Sequence, residues 1–211
     1  MSDLATIASL STAGGTLVLA VATFSSVRAS QRSARIAEQA FQIGLRPVLA
    51  PTNTDDPTMT VSFGDGRLVS VPGGAGAIEL DDGRFYFVIP LRNVGQGLAV
   101  LHAWRVAPRV EGVPPDRPEL DSLRRQQRDL YIPPGGIGFW QGALREREDE
   151  MRAGIDAAHA QAQTFLVDLL YGDFEGGQRS ITRFSLFPSD DGWVAGVVRH
   201  WRVDAPDPRD R

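Results

Sequence analysis

The chain has no cysteine and no lysine. The first absence removes disulfides, thiolate metal sites and cysteine nucleophiles together, and it fits a reducing compartment. The second leaves arginine to carry all 22 basic charges. Arginine-only usage reads as the mark of a GC-rich genome, and it also excludes lysine Schiff-base chemistry and a P-loop lysine. The 3 histidines, His102, His159 and His200, lack the clustering that a zinc site requires. An excess of positive charge is missing as well. With a formal net charge of −4 there is no global basic field, so nucleic acid is not expected as a partner.

Charge is also absent from Leu4 to Val27. A run of that length crosses a hydrocarbon core of about 30 Å as a helix. Leu4, Ile7, Leu10, Leu17, Val18, Leu19, Val21, Phe24 and Val27 carry it, diluted by serine, threonine and Gly14-Gly15. Arg28, Arg32 and Arg35 come next, on one face of a continuing helix where they meet anionic lipid headgroups. Cations on that flank stay cytoplasmic. The expected topology is a single pass in the plasma (inner) membrane, with the C-terminal domain inside. A signal peptide places its positive charge before the apolar run, the reverse of the order here. Ala5, Ser9 and Ala13, with Ser11 and Gly15, are spaced for close helix approach and homo-oligomerisation. Ile36, Ala40 and Ile43, beside Phe41, form a short apolar stripe that either docks on the domain or pairs with a second chain. Gly44 and Pro47 end the helix.

Beyond Pro47 the pattern changes to short apolar runs between turn residues. Strands are expected over 46–52, 58–63, 67–71, 77–80, 84–91, 98–106, 137–141, 164–171, 180–187 and 193–203. Gly64-Asp65-Gly66 and Asp81-Asp82-Gly83 make hairpin turns, and Pro72 to Gly76 a flexible loop. Strands at this spacing predict an antiparallel, immunoglobulin-like sandwich. Ala107 to Asp121 is proline-rich and reads as a surface loop; Leu144 to Gln163 reads as a helical insertion whose charged start, through Arg152, is solvated. The expected organisation is a transmembrane segment over 1–27, a juxtamembrane helix over 28–45, the sandwich over 46–204 with its insertion near 144–163, and a disordered tail over 205–211.

Leu91-Arg92-Asn93-Val94-Gly95-Gln96-Gly97-Leu98-Ala99 resembles the strand, N-x-G-x-G-x-A, strand signature of uncharacterised bacterial membrane-anchored sandwich proteins. Tyr171 to Gly176 is similar to their second hallmark, a strand ending in a tight polar turn, and Arg46-Pro47 to their strand start. The resemblance implies an immunoglobulin-like fold and an anchor, and brings no activity. Read physically, Asn93 bonds nearby backbone, while Gly95 and Gly97 supply positive φ or close backbone approach. A phosphate loop instead feeds a helix N-terminus, whereas Leu98 to Trp104 reads as strand.

No catalytic constellation stands out. His102 and His200 meet across strands or sit half-buried beside aromatics. No serine has a G-x-S-x-G context. Asp168 alternates with Val167 and Leu169, which places it on the exposed face; a buried Asp168 needs a partner such as Arg183. Asp173 and Glu175 are spaced like a glycosidase pair and equally like a turn. Asp55-Asp56, Asp81-Asp82 and Asp190-Asp191 offer oxygens to calcium or simply initiate turns. Ile132 to Ile137, with Pro133-Pro134, is a rigid corner or a polyproline surface. No metal or cofactor is expected. The reading is a non-enzymatic, membrane-tethered binding or scaffold module with a protein partner. A ligand-sensing or accessory subunit of a larger membrane complex is the alternative, and an enzyme built around His102 or His200 ranks third.

Overall fold

A computed structural model describes residues 2–112, 116–207 and 209, with the side chains of 2–18, 39, 42 and 43 excepted. The chain forms two compact units, Met1–Gly44 and Leu45–Arg211.

The first unit is one helix, α1 (Ser2–Gly44). Nothing in the sequence interrupts it before Gly44, and Pro47 forbids its continuation. Among the described residues no helix is long and apolar enough to cross a membrane. The expected span therefore finds no support in the described side chains, because Leu19, Val21, Phe24 and Val27 soon give way to Arg28, Arg32 and Arg35. The side chains of the span up to Val18 lie outside the described residues, those of the small-residue spacing from Ala5 to Gly15 among them, as does that of Ile43. Arg28, Arg32 and Arg35 are exposed, and the Arg28 guanidinium lies 4.9 Å from the centre of the Phe24 ring.

The second unit is mainly β, and every strand pair among its described residues is antiparallel. Its strands are β1 (Leu49–Pro51), β2 (Met59–Ser62), β3 (Leu68–Val71), β4 (Ala75–Asp81), β5 (Arg84–Asn93), β6 (Ala99–Pro108), β7 (Arg124–Arg125), β8 (Tyr131–Ile132), β9 (Ile137–Leu144), β10 (Phe165–Gly172), β11 (Ser180–Ser189) and β12 (Gly192–Arg202). Ten belong to one sheet in the order β1-β5-β4-β12-β11-β10-β6-β7, with β9 also on β5 and β8 also on β6; β2 and β3 form a separate hairpin. Where a two-sheet sandwich was expected, hydrogen bonding runs on through a corner between β4 and β12. Only Ala75 and Gly76 pair there, with Val194 and Trp193. Glycine fits the corner closely: a Cβ on Gly76 would lie 2.2 Å from Leu186 Cδ2, and that leucine would have to shift. Pro72 to Gly76 is thus only partly a loop.

The sheet curls into a half-barrel around a core to which β10 contributes Phe165, Val167, Leu169 and Tyr171, all fully buried. Period-two alternation selects these four. The opposite face is covered too. The β2–β3 hairpin lays Val61, Phe63, Val69 and Val71 on Tyr86 and Val88 of β5, so both faces of β5 are buried and its sequence is nearly continuous in apolar residues. A smaller cluster of Ala103, Leu123, Ile181 and Trp201 covers the outer side of β6, β11 and β12. Asp168 is itself buried, at 3% exposure, which corrects the expectation of an exposed carboxylate.

The insertion near 144–163 is not a long helix. Strand β9 runs on to Leu144, a 3-10 turn occupies Glu150–Arg152, and α2 (Ile155–Ala160) has 6 residues. Gly154 precedes α2 with φ +78°, a left-handed conformation that separates it from the turn before it. Arg152, expected in a solvated helical start, is buried: it donates to Gly83 O at 2.6 Å and to Asp156, and lies over the Phe85 ring. Helix α2 inserts Ile155, fully buried, and Ala158 into the main core. Truncating Ile155 to alanine is expected to cost about 2–5 kcal/mol, because α2 is tied at both ends and collapses only partly into the space left. Denaturant unfolding followed by tryptophan fluorescence measures this; a loss below about 1 kcal/mol would show that α2 is peripheral.

Candidate functional site

Curling leaves a seam. Strand β9 pairs β5 along one edge, and among the described residues no strand pairs its other edge. Across the seam stand β7 and the polar run Arg125 to Arg128. Between them opens a cleft of about 640 Å³, roofed by the tip of the β2–β3 hairpin at Ser62, Phe63 and Gly64.

Beneath its floor lies a buried aromatic pair. Trp104 of β6 meets Trp140 of β9 edge-on, with ring centres 5.5 Å apart. Gly142 lies against both: a Cβ there would be 2.6 Å from Trp140 Cζ2 and 3.3 Å from Trp104 Cη2. A side chain at this position would have to displace the rings. The Arg124 guanidinium lies 5.4 Å from the Trp104 ring centre and donates to Asp149 Oδ1 at 2.6 Å. That bond, foremost, holds the Asp149 carboxyl below its ordinary range.

Charge in the cleft is lopsided. Arg124, Arg125, Arg128 and Arg145 face Glu146 and Asp149. Arg124 is matched by Asp149 and Arg145 by Asp65. Arg125 and Arg128 have no carboxylate partner among the described residues; Arg128 donates only to the Ser62 carbonyl, at 3.3 Å. The amides add acceptors. Gln126 Nε2 donates to Gln141 O at 3.4 Å, which orients its Oε1. That oxygen and Gln141 Oε1 are buried, and no donor among the described residues reaches either.

The sequence-predicted residues lie elsewhere. Asn93 is fully buried, with every amide valence used: Oδ1 accepts from Val48 N at 3.2 Å and Gly95 N at 3.0 Å, and Nδ2 donates to Gly97 O at 2.6 Å and Ile132 O at 3.0 Å. Neither Gly95 nor Gly97 has positive φ. What demands glycine is proximity: added Cβ atoms would lie 2.2 Å from Arg46 O and 1.6 Å from Leu45 O. The motif stitches the start of the domain to the β5–β6 connection. Asp173 Oδ1 accepts from Gly177 N at 2.8 Å and Gln178 N at 3.3 Å, a turn cap. Asp56 pairs with Arg92, Asp81 with Arg67, and Asp82 turns the β4–β5 hairpin at φ +47°. Among the described residues no group of three or more acidic or histidine side chains could hold a metal. Of the tail expected to be disordered, Asp207 pairs with Arg199 and Arg209, while 208, 210 and 211 lie outside the described residues.

The histidines do not assemble. His102 is on β6 and His200 on β12, with β10 and β11 between them, a separation of about 14 Å at the normal strand spacing. His159 stands edge-on to Phe85, with ring centres 5.3 Å apart. His200 Nδ1 bonds Thr182 Oγ1 at 2.9 Å, in a network with the buried Tyr171 hydroxyl. Burial, aided by Arg46, Arg209 and Arg202, lowers the His200 pKa. A histidine held neutral in the fold binds fewer protons than it does unfolded. Its stabilisation is therefore complete above the ordinary value of 6.5 and declines as pH falls below it. Replacing His200 with glutamine is expected to flatten the stability–pH curve on the acid side of that value; urea midpoints across the range test this, and an unchanged slope would show another group responsible.

The cleft itself escaped the sequence reading. Its one local mark is the run Arg124-Arg125-Gln126-Gln127-Arg128 between the buried Leu123 and Leu130, polar residues that did not pattern as a strand. No family model matches the chain, and no curated protein matches it. Among solved structures it is similar to a protein from Archaeoglobus fulgidus at 11% identity and a TM-score of 0.25, covering 62% of this chain and 94% of that one. It is also similar to a Northeast Structural Genomics Consortium target at 11% identity and a TM-score of 0.21, covering 63% and 81%.

Proposed function

We propose that the chain is a non-enzymatic binding or scaffold module that holds a partner in the cleft at the β9 seam, tethered to the inner face of the plasma membrane by its N-terminal segment. The observation that carries the reading is the chemistry of the cleft. Guanidinium forks and amides are groups that grip a ligand by charge and hydrogen bonds. The uncharged run from Leu4 to Val27, with Arg28, Arg32 and Arg35 after it, supports the tether and its orientation. Within this reading the domain is an immunoglobulin-like relative whose two sheets join at the β4–β12 corner. In the second reading, an accessory subunit of a larger membrane complex, α1 is the contact. The exposure of Ile36 at 66% and Phe41 at 67% favours it.

Reporter fusions after Arg211, one active only inside the membrane and one only outside, combined with in-cell crosslinking, test the proposal. An inside-only signal, and crosslinked products lost on Arg125→Glu with Arg128→Glu, are the expected results. An outside-only signal overturns the orientation. Crosslinks indifferent to the charge reversals overturn the role of the cleft, and loss of all crosslinks on deleting 4–27 favours the accessory subunit.

A further inference from the structure

The cleft makes two demands on one ligand. Arg125 and Arg128, without carboxylate partners among the described residues, call for anionic groups. The oxygens of the half-buried Gln126 and Gln141, which no donor among the described residues reaches, take N–H or O–H donors once a ligand turns these side chains toward it. A simple anion meets only the first demand. A third feature concerns shape: the cleft runs beside Gln141, Gly142 and Ala143, on the edge of β9 that no strand pairs among the described residues. From across the seam the backbone there receives a long bond, Gln126 Nε2 to Gln141 O at 3.4 Å, and no ladder of strand bonds. A free strand edge beside a cleft is a template for one more extended chain.

Resting on the reading of the chain as a binding module, we infer that the cleft takes an extended acidic peptide segment of a partner protein, laid along the β9 edge. Backbone N–H groups of the peptide supply the donors for the Gln126 and Gln141 oxygens and for the strand edge. Alternate side chains of an extended segment point the same way, so glutamates or aspartates at every second position reach Arg125 and Arg128. Charge complementarity favours such a peptide over a polynucleotide. The chain as a whole carries −4, and exposed Glu146, Glu148 and Glu150 lie in one run of the chain beside the arginines. A few carboxylates fit between these fields, whereas a continuous run of phosphates is repelled by them.

The probe is a fluorescein-labelled hexapeptide of alternating valine and glutamate, titrated with the full chain in detergent micelles and read by anisotropy. The same peptide with lysine for glutamate, the glutamate peptide with methylated backbone nitrogens, and an oligonucleotide of matched charge complete the set. The acidic peptide is expected to bind, more weakly as salt rises. Lysine exchange, backbone methylation, and Arg125→Glu with Arg128→Glu in the protein are each expected to weaken binding by about tenfold or more, since each removes charge-assisted or strand-edge bonds. Both arginines are surface groups, and an unchanged denaturation midpoint shows that the variant is folded; Gln126→Met tests the amide acceptor without touching charge. Equal binding of the methylated peptide, or tighter binding of the oligonucleotide, overturns the inference. No peptide binding while in-cell crosslinks still depend on Arg125 and Arg128 overturns the inference and leaves the binding-module reading intact. No peptide binding and no arginine-dependent crosslinks remove both.

Discussion

Replacing Asp168 with alanine is expected to destabilise the domain by about 3–5 kcal/mol, because it strands a buried guanidinium. Arg183 Nε donates to Asp168 Oδ1 at 2.6 Å and Nη2 to Oδ2 at 2.9 Å, a two-pronged pair across β10 and β11. The side chains are 10% and 4% exposed, so water offers little replacement. The Trp201 ring, with its centre 5.2 Å from the Arg183 guanidinium, softens the loss without removing it. Arg105 stands opposite Asp168 on β6, so the deletion also leaves two cations facing each other across β10. Asp168→Asn keeps an acceptor and is expected to cost less. The double change Asp168→Leu with Arg183→Met removes both charges together and is expected to recover most of the loss. Urea unfolding of the wild type and the three variants measures these differences. A cost below about 1 kcal/mol for Asp168→Ala would mean that the site admits water.

Gly97→Ala is expected to be more damaging, costing more than about 4 kcal/mol or preventing folding. The new methyl group would lie 1.6 Å from Leu45 O and 2.7 Å from Leu45 C. These are backbone atoms at the point where the chain enters the domain, so neither side yields without breaking the bonds that Asn93 makes to Val48 N, Gly95 N, Gly97 O and Ile132 O. Gly64→Ala is the control. It has open space around the added methyl and is expected to change stability by no more than about 0.5 kcal/mol. Soluble yield and denaturation midpoint separate the two; a Gly97→Ala protein of normal stability would show that the close approach to Leu45 relaxes.

The sequence by itself determined the strands. Alternation and turn residues placed β2 through β6 and β9 through β12 near their observed positions, since a period of two and a glycine in a tight turn are local requirements. The α1 helix and its stop at Gly44 were legible for the same reason. Asn93, Gly95 and Gly97 stood out as a motif, although which partners they approach was not written there. What local pattern could not show is which strand faces are covered. Asp168 alternates like a surface residue and is buried in its pair with Arg183, whose guanidinium lies against the Trp201 ring. Arg152 reads as a solvated charge and is buried because Gly83 O and the Phe85 ring receive it. Nor could the short pairs β7 and β8 be seen, two residues being too few to make a pattern. The cleft is decided wholly by tertiary structure. Its parts lie at 62–64, 104, 124–128 and 141–149, and they meet where the sheet curls and one edge of β9 is unpaired among the described residues.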